Sequence, residues 1–235
     1  MSTPLALVTG SAHRLGKSFA LTLARLGYDI ILHYHSAEEE AHQTKAEIES
    51  LSRSVTLAQA DLTQPSEIYS LVSTLGSLDV LVNSAAFMPS GNVNALSLEN
   101  WDTALDLNLR APFLLAQEAS KKMTDGSSII NISDMGSQKA WSRYPSYTVS
   151  KAALESLTKI LARALAPKIR VNAIAPGFVL QSDIVPAEEW DRLIGRVPLK
   201  RPARTEEITS ALEFLLKNEY ITGQTIVVDG GYSLI

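Results

Sequence analysis

The stretch Leu5-Ala-Leu-Val-Thr-Gly-Ser-Ala-His-Arg-Leu-Gly-Lys-Ser-Phe-Ala-Leu-Thr-Leu-Ala-Arg-Leu26 changes its period partway along. Residues 5–9 are an unbroken apolar run ending in a threonine, the signature of a strand buried on both faces. From Leu15 to Leu26 the apolar residues return every three or four positions, which is one face of a helix. Gly10 and Gly16 bracket the turn between them. Glycines at such a junction let a backbone come close to a pyrophosphate and aim the helix N–H groups at it. The same glycines also serve simply to end a strand, so the rest of the chain must decide.

The alternation continues to the end of the chain. Strand-type runs fall at 5–9, 29–33, 55–59, 79–83, 128–133, 170–175 and 225–228. Amphipathic stretches separate them at 15–26, 37–51, 66–75, 100–122, 147–165 and 206–217. Apolar strands joined by helices predict a parallel sheet with right-handed crossovers. The expected fold is α/β: one Rossmann-like domain over residues 1–235, a doubly wound parallel sheet of about seven strands with helices on both faces. Ligands of such sheets bind beyond the carboxyl ends of the strands. Residues 177 to about 202 carry three prolines (Pro186, Pro198, Pro202) and are expected to form a mobile loop over the site.

Composition removes several functions. The 235 residues are 46% hydrophobic, enough for one well-buried domain. The net charge of -4 and the lack of a long basic run argue against nucleic acid as a partner. With no cysteine, disulfides, thiol catalysis and thiolate metal sites are excluded. His13, His33, His35 and His42 show no metal-ligand spacing with carboxylates, so no metal is expected. The first apolar run stops after five residues, which is a strand and not a signal peptide or membrane span. A soluble cytoplasmic protein is the default.

Tyr147 and Lys151 stand at i and i+4 and therefore share a helix face. A free phenol with a pKa near 10 is a poor base near neutrality. A nearby ammonium would favour phenolate. These residues and the glycine turn belong to a longer series: Thr9-Gly10-x3-Arg14-x-Gly16, Asp61-Leu62, Leu81-Val-Asn83-Ser-Ala85, Asn108, Tyr147-x3-Lys151, Asn172-x3-Pro176-Gly177 and Val228-Asp-Gly-Gly231. In that order and spacing the chain resembles the short-chain dehydrogenase/reductase family over essentially its whole length. The resemblance implies a nicotinamide dinucleotide held by Gly10, Arg14, Leu15, Gly16, Asp61, Leu62, Asn83, Ser84, Ala85, Pro176, Gly177 and Val179. It implies Tyr147 as proton donor, Lys151 holding the ribose and tuning Tyr147, and Asn108 placing a proton-relay water. It also implies a homotetramer.

Two departures from the family pattern carry the finer reading. The end of the second strand reads Leu32-His-Tyr-His-Ser36, without the acid that NAD-dependent folds use for ribose hydroxyls. Arg14, His33, His35 and Ser36 together suit a 2′-phosphate, hence NADPH; His33 taken alone reads rather as a polar edge residue. Thirteen residues before Tyr147 most relatives carry a serine, but this chain has Asp134, with Ser133 before it. Successive residues of a strand point to opposite faces, so Ser133 cannot replace it. An ionised carboxylate opposes the negative charge growing on a carbonyl oxygen, yet it can serve the proton that a C=N nitrogen must take. Arg14, the His33-Tyr-His35 end and Asp134 resemble the pteridine reductase branch, which reduces pterins and dihydropterins with NADPH. Phe87 lies within about one residue of that branch's stacking phenylalanine; the alternative is a packing residue under the loop. Trp141, Arg143 and Tyr144 either wall the substrate or pack the surface. Two other readings stay open: a 3-oxoacyl or sugar ketone reductase with Asp134 protonated or turned away, and a catalytically idle NADPH-binding regulator.

Overall fold

The computed structural model describes residues 3–139, 141–181 and 185–235. Seven strands form one parallel sheet in the order β3-β2-β1-β4-β5-β6-β7. They are β1 (Leu5–Val8), β2 (Asp29–Tyr34), β3 (Val55–Gln59), β4 (Leu78–Asn83), β5 (Met123–Ile132), β6 (Ile169–Pro176) and β7 (Thr225–Val228). The helices are α1 (Arg14–Arg25), α2 (Glu38–Ser50), α3 (Pro65–Ser73), α4 (Leu98–Leu105), α5 (Ala111–Ala119), α6 (Pro145–Leu165), α7 (Ala187–Ile194) and α8 (Thr205–Lys217).

Period-two alternation sends each strand's side chains into two cores. Ala6, Val8, Ile30, Leu32, Val80 and Val82 pack on one side against Phe19 and Leu23 of α1, Ile48 of α2 and Leu212 of α8. Leu7, Ile31, Leu81, Ile129 and Val171 pack on the other against Ile68 of α3, Leu115 of α5 and Leu161 of α6. The doubly wound expectation holds.

Three segments differ from expectation. The single helix expected over 100–122 is instead α4, a π-helical turn at Asp106–Arg110 and α5. Pro112 has no N–H to give the Asn108 carbonyl four residues back, and Ala111 N–H reaches Asp106 five residues back. β5 begins at Met123, earlier than its polar Thr124-Asp-Gly-Ser segment suggested, and its pairing with β4 is irregular between Leu78 and Val80. Within the stretch 177–202, residues 187–194 form α7 rather than irregular chain, while residues 182–184 lie outside the described residues. No helix among the described residues is long and apolar enough to cross a membrane.

Candidate active site

The strand order reverses between β1 and β4, and at the carboxyl ends of the strands there lies a cleft of about 690 Å³. Its walls include Gly10, Arg14, Leu15 and Gly16 from the first turn, His35 and Ser36 after β2, and Asp61 and Leu62 after β3. Ser84, Ala85 and Phe87 follow β4, and Pro176, Gly177 and Val179 lie at the end of β6 and after it. Asp134, Tyr147 and Lys151 meet in the same cleft.

The first turn is built for close approach. A Cβ at Gly16 would lie 2.1 Å from the Gly10 carbonyl oxygen, and one at Gly10 would lie 2.9 Å from the Ala85 Cα. Gly10 also has φ +62°, where a side chain is strained. His13, at the start of α1, makes no side-chain cap bond, so the first N–H groups of the helix are left for an anion. Thr9 Oγ1 accepts from the N–H groups of Ser84 and Ala85 at 2.9 and 3.0 Å, fixing the β4 end beside Gly10. These features fit a dinucleotide pyrophosphate.

The expected 2′-phosphate group divides. His35 and Ser36 are exposed at the rim. His33 is 2% exposed, and both of its nitrogens are occupied. Its Nδ1 accepts from Gly10 N–H at 3.1 Å, so Nε2 carries the hydrogen and donates to the Ala60 carbonyl at 3.0 Å. Burial first, with His35 adding to it against the Ala60 bond, lowers the imidazole pKa to about 4. His33 is a neutral strut between three strand ends, which corrects its assignment to the phosphate. Arg14, at φ +54°, extends the other way: its guanidinium donates to the Leu180 and Gln181 carbonyls at 3.1 and 3.4 Å, on the β6 side of the cleft. It does not join His35 and Ser36.

Asp134 lies two residues beyond β5 in extended conformation and uses its two oxygens separately. Oδ1 accepts from Gly136 N–H at 2.6 Å, capping the short turn Met135–Gln138. Oδ2 accepts from the Tyr147 hydroxyl at 2.9 Å. Ser133 points elsewhere, to Glu155, as strand alternation requires. Burial raises the Asp134 pKa and Glu155 adds to this, while Gly136 N–H, Tyr147 and Lys151 oppose it.

Burial and then Asp134 hold the Tyr147 pKa well above that of an ordinary phenol. The Lys151 ammonium donates to the Ile132 carbonyl at 2.7 Å and lies 5.6 Å from the Tyr147 ring centre. Burial lowers its pKa to about 8, against the opposing pull of Asp134.

Asn108 and Asn83 stand behind the cleft wall. Asn108 brackets Phe87, accepting from its N–H and donating to its carbonyl, each at 2.8 Å, and also donates to Ser150 Oγ at 3.0 Å. Its side chain thus positions Phe87. Asn83 donates to Asn131 at 2.8 Å beneath the strand ends, and Asn131 donates in turn to Thr158. Neither asparagine lines the cleft. Trp141 packs with Met135, Val197 and Tyr232, and Arg143 pairs with Glu189 at 3.1 Å, so neither walls the cleft. Tyr144 meets Trp141 edge-on and is likewise not on the wall. Sequence reasoning missed Thr9 as a clamp, and also Glu155, whose i+8 spacing from Tyr147 was the available signal. Among the described residues no group of three or more potential metal ligands occurs.

A glycine-built crevice at the switch point, opening onto a tyrosine, a lysine and an acid, defines a dinucleotide-dependent oxidoreductase of the doubly wound class. The chain belongs to the short-chain dehydrogenase/reductase family: residues 10–233 match the family model described as enoyl-(acyl carrier protein) reductase. It is 35% identical over 240 residues to the 3-oxoacyl-[acyl-carrier-protein] reductase FabG of Staphylococcus aureus, covering 97% of this chain and 98% of that one. Among solved structures it is similar to FolM alternative dihydrofolate reductase 1 of Brucella canis complexed with NADP. That match has TM-score 0.92 and 33% identity, covering 99% of this chain and 94% of that one. The angucycline C-6 ketoreductase LanV with bound NADP matches with TM-score 0.94 and 29% identity, covering 99% and 96%.

Proposed function

We propose that this protein is a cytoplasmic, homotetrameric reductase that uses NADPH to reduce a C=N bond of a pterin or dihydropterin. The observation that carries this reading is the 2.9 Å hydrogen bond from Tyr147 to Asp134. The cofactor supplies a hydride to the ring carbon, and the adjacent nitrogen must then take a proton. Tyr147, held neutral by burial and Asp134, stands in the cleft as the donor. An ionised Asp134 claims the hydroxyl proton for itself. A protonated Asp134 gives its own proton to Tyr147 Oη and frees the phenolic proton for the substrate nitrogen. The raised Asp134 pKa favours this second state, and the pair acts as a two-step relay. Phe87, fixed by Asn108, supplies an aromatic face for a flat ring. Lys151 holds the ribose, and Gly10, Leu15 and Gly16 hold the pyrophosphate with Arg14 across the cleft. His35 and Ser36 meet the 2′-phosphate.

A second reading is 3-oxoacyl reduction, and the curated sequence relatives favour it over the first. A protonated Asp134 removes the repulsion that the acid would otherwise exert on a carbonyl oxygen. The FolM structures support the pterin reading. The test is NADPH consumption with a dihydropterin beside a 3-oxoacyl thioester, for wild type and Asp134→Ser. Dihydropterin turnover that falls at least tenfold in the variant, with NADPH binding kept within about threefold, is the expected result. Wild-type turnover of the thioester alone sinks the pterin reading.

A further inference from the structure

The relay leaves one half-buried acid without a task. Tyr147, Lys151 and Glu155 stand at i, i+4 and i+8 of α6 and share the face turned toward the cleft. Glu155 Oε1 accepts from Ser133 Oγ at 2.8 Å and from Ser137 Oγ at 2.5 Å. Ser133 immediately precedes Asp134, and Ser137 lies within the turn that Asp134 caps. Ser133 Oγ also lies 3.4 Å from the Lys151 carbonyl. One carboxylate oxygen therefore fastens both flanks of the acid to the helix that presents Tyr147.

We propose that Glu155 is a positioning residue that locks the 133–137 turn onto the catalytic helix and supplies the negative charge that keeps a proton on the Asp134–Tyr147 pair. This rests on Asp134 being the acid of the relay. The groups facing Asp134 are Gly136 N–H from its own turn and Tyr147, Lys151 and Glu155 from α6. Glu155 is the only anion among them. Without it, burial alone would oppose the ionisation of Asp134, against the Lys151 cation and the Gly136 and Tyr147 donors. Two serine hydroxyls alone would tether the turn equally well to a glutamine. The carboxylate adds charge to the tether, and the two contributions separate by substitution.

Glu155→Gln keeps an oxygen for both hydroxyls and removes the charge, whereas Glu155→Ala removes both. The full-length protein is assayed for NADPH-dependent turnover from about pH 5 to 10 with a dihydropterin and with a 3-oxoacyl thioester. NADPH affinity is measured by fluorescence titration. The Asp134 carboxyl band is followed by infrared difference against Asp134→Asn, a readout independent of turnover. In Glu155→Gln the Asp134 band and the alkaline limb of the rate should both move down by about one pH unit, a tenfold change in proton affinity. In Glu155→Ala the plateau rate should fall about tenfold as well, with NADPH affinity changed less than threefold. An Asp134 titration unmoved by Glu155→Gln overturns the electrostatic role. Parallel loss of turnover and NADPH affinity in Glu155→Ala overturns the positioning role, and if that variant does not fold, the glutamine variant still decides. Full turnover of both substrates by Asp134→Asn overturns the relay itself, while the infrared shift still reports on Glu155.

Discussion

At the scale of single residues, Asp134 and Arg14 show what a side chain's destination adds to its identity. Asp134 was legible as an oddity thirteen residues before Tyr147, and its faces followed from strand alternation. What letters do not carry is that it splits its oxygens between a backbone cap and a phenol. Arg14 has a long flexible side chain, so its position after β1 left open which half of the cleft its guanidinium enters. It lies toward Leu180 and Gln181, away from the β2 end. Arg14→Gly should therefore weaken NADPH and NADH by similar factors, on the order of tenfold, since one charge-assisted hydrogen bond is worth about 1.5–3 kcal/mol. Stability should change by less than about 1 kcal/mol. Relief of a left-handed backbone, roughly 1–2 kcal/mol, is offset by the entropy of glycine, about 0.5–1 kcal/mol. Ser36→Asp should instead lower the NADPH/NADH affinity ratio at least tenfold, because an anion at the rim repels a 2′-phosphate and accepts ribose hydroxyls. Cofactor titrations of both variants decide; a ratio that falls with Arg14→Gly and not with Ser36→Asp reverses the two assignments.

At the scale of elements, all seven strands were visible in the sequence, the central ones as apolar runs because strands buried on both faces have little else to be. The edge strands β3 and β7 are only partly buried. The helix boundaries failed where one backbone group decides. Apolar spacing runs through 98–119, but Pro112 forces a π-turn, and periodicity is blind to a missing N–H. His33 was misassigned for a related reason: a histidine at a strand end reads as polar, while its two nitrogens are spent on Gly10 and Ala60. That strut makes a pH-dependent contribution to stability. The folded pKa of about 4 lies below the unfolded value of 6.5, so the unfolded chain binds the proton first as pH falls. The contribution is complete above pH 6.5 and is lost progressively toward pH 4, to a total on the order of 3 kcal/mol at 1.36 kcal/mol per unit. Urea unfolding at pH 7 and pH 5 should show a loss of roughly 2 kcal/mol for wild type. His33→Gln, less stable at pH 7, should lose markedly less between the two. Equal losses would mean that another group titrates over this range.

At the scale of the whole molecule, α6 faces two ways. Its inner face carries Tyr147, Lys151 and Glu155, whereas Val149 and Ile160 are 47% and 64% exposed, and Phe113 on α5 is 40% exposed. Val149 and Ile160 are eleven residues apart, close to three helical turns, so they lie along one outer stripe. The resemblance implied a tetramer, and this stripe is one candidate contact among several exposed apolar side chains, Phe214 and Leu199 included. If the stripe packs against a second copy, the helix that positions the reacting groups is also held by assembly. Burying such side chains contributes about 1.5–3 kcal/mol each. Replacing Val149 and Ile160 together with Glu in every subunit then weakens association by several kcal/mol, on the order of a thousandfold or more. Sedimentation at micromolar concentration should show a tetramer for wild type and smaller species for the double variant. Turnover should fall with dissociation and recover partly at high protein concentration, because mass action restores the contact. Unchanged sedimentation would assign assembly to another surface, and a smaller species with full turnover would show that α6 holds Tyr147 and Lys151 without help from a neighbour.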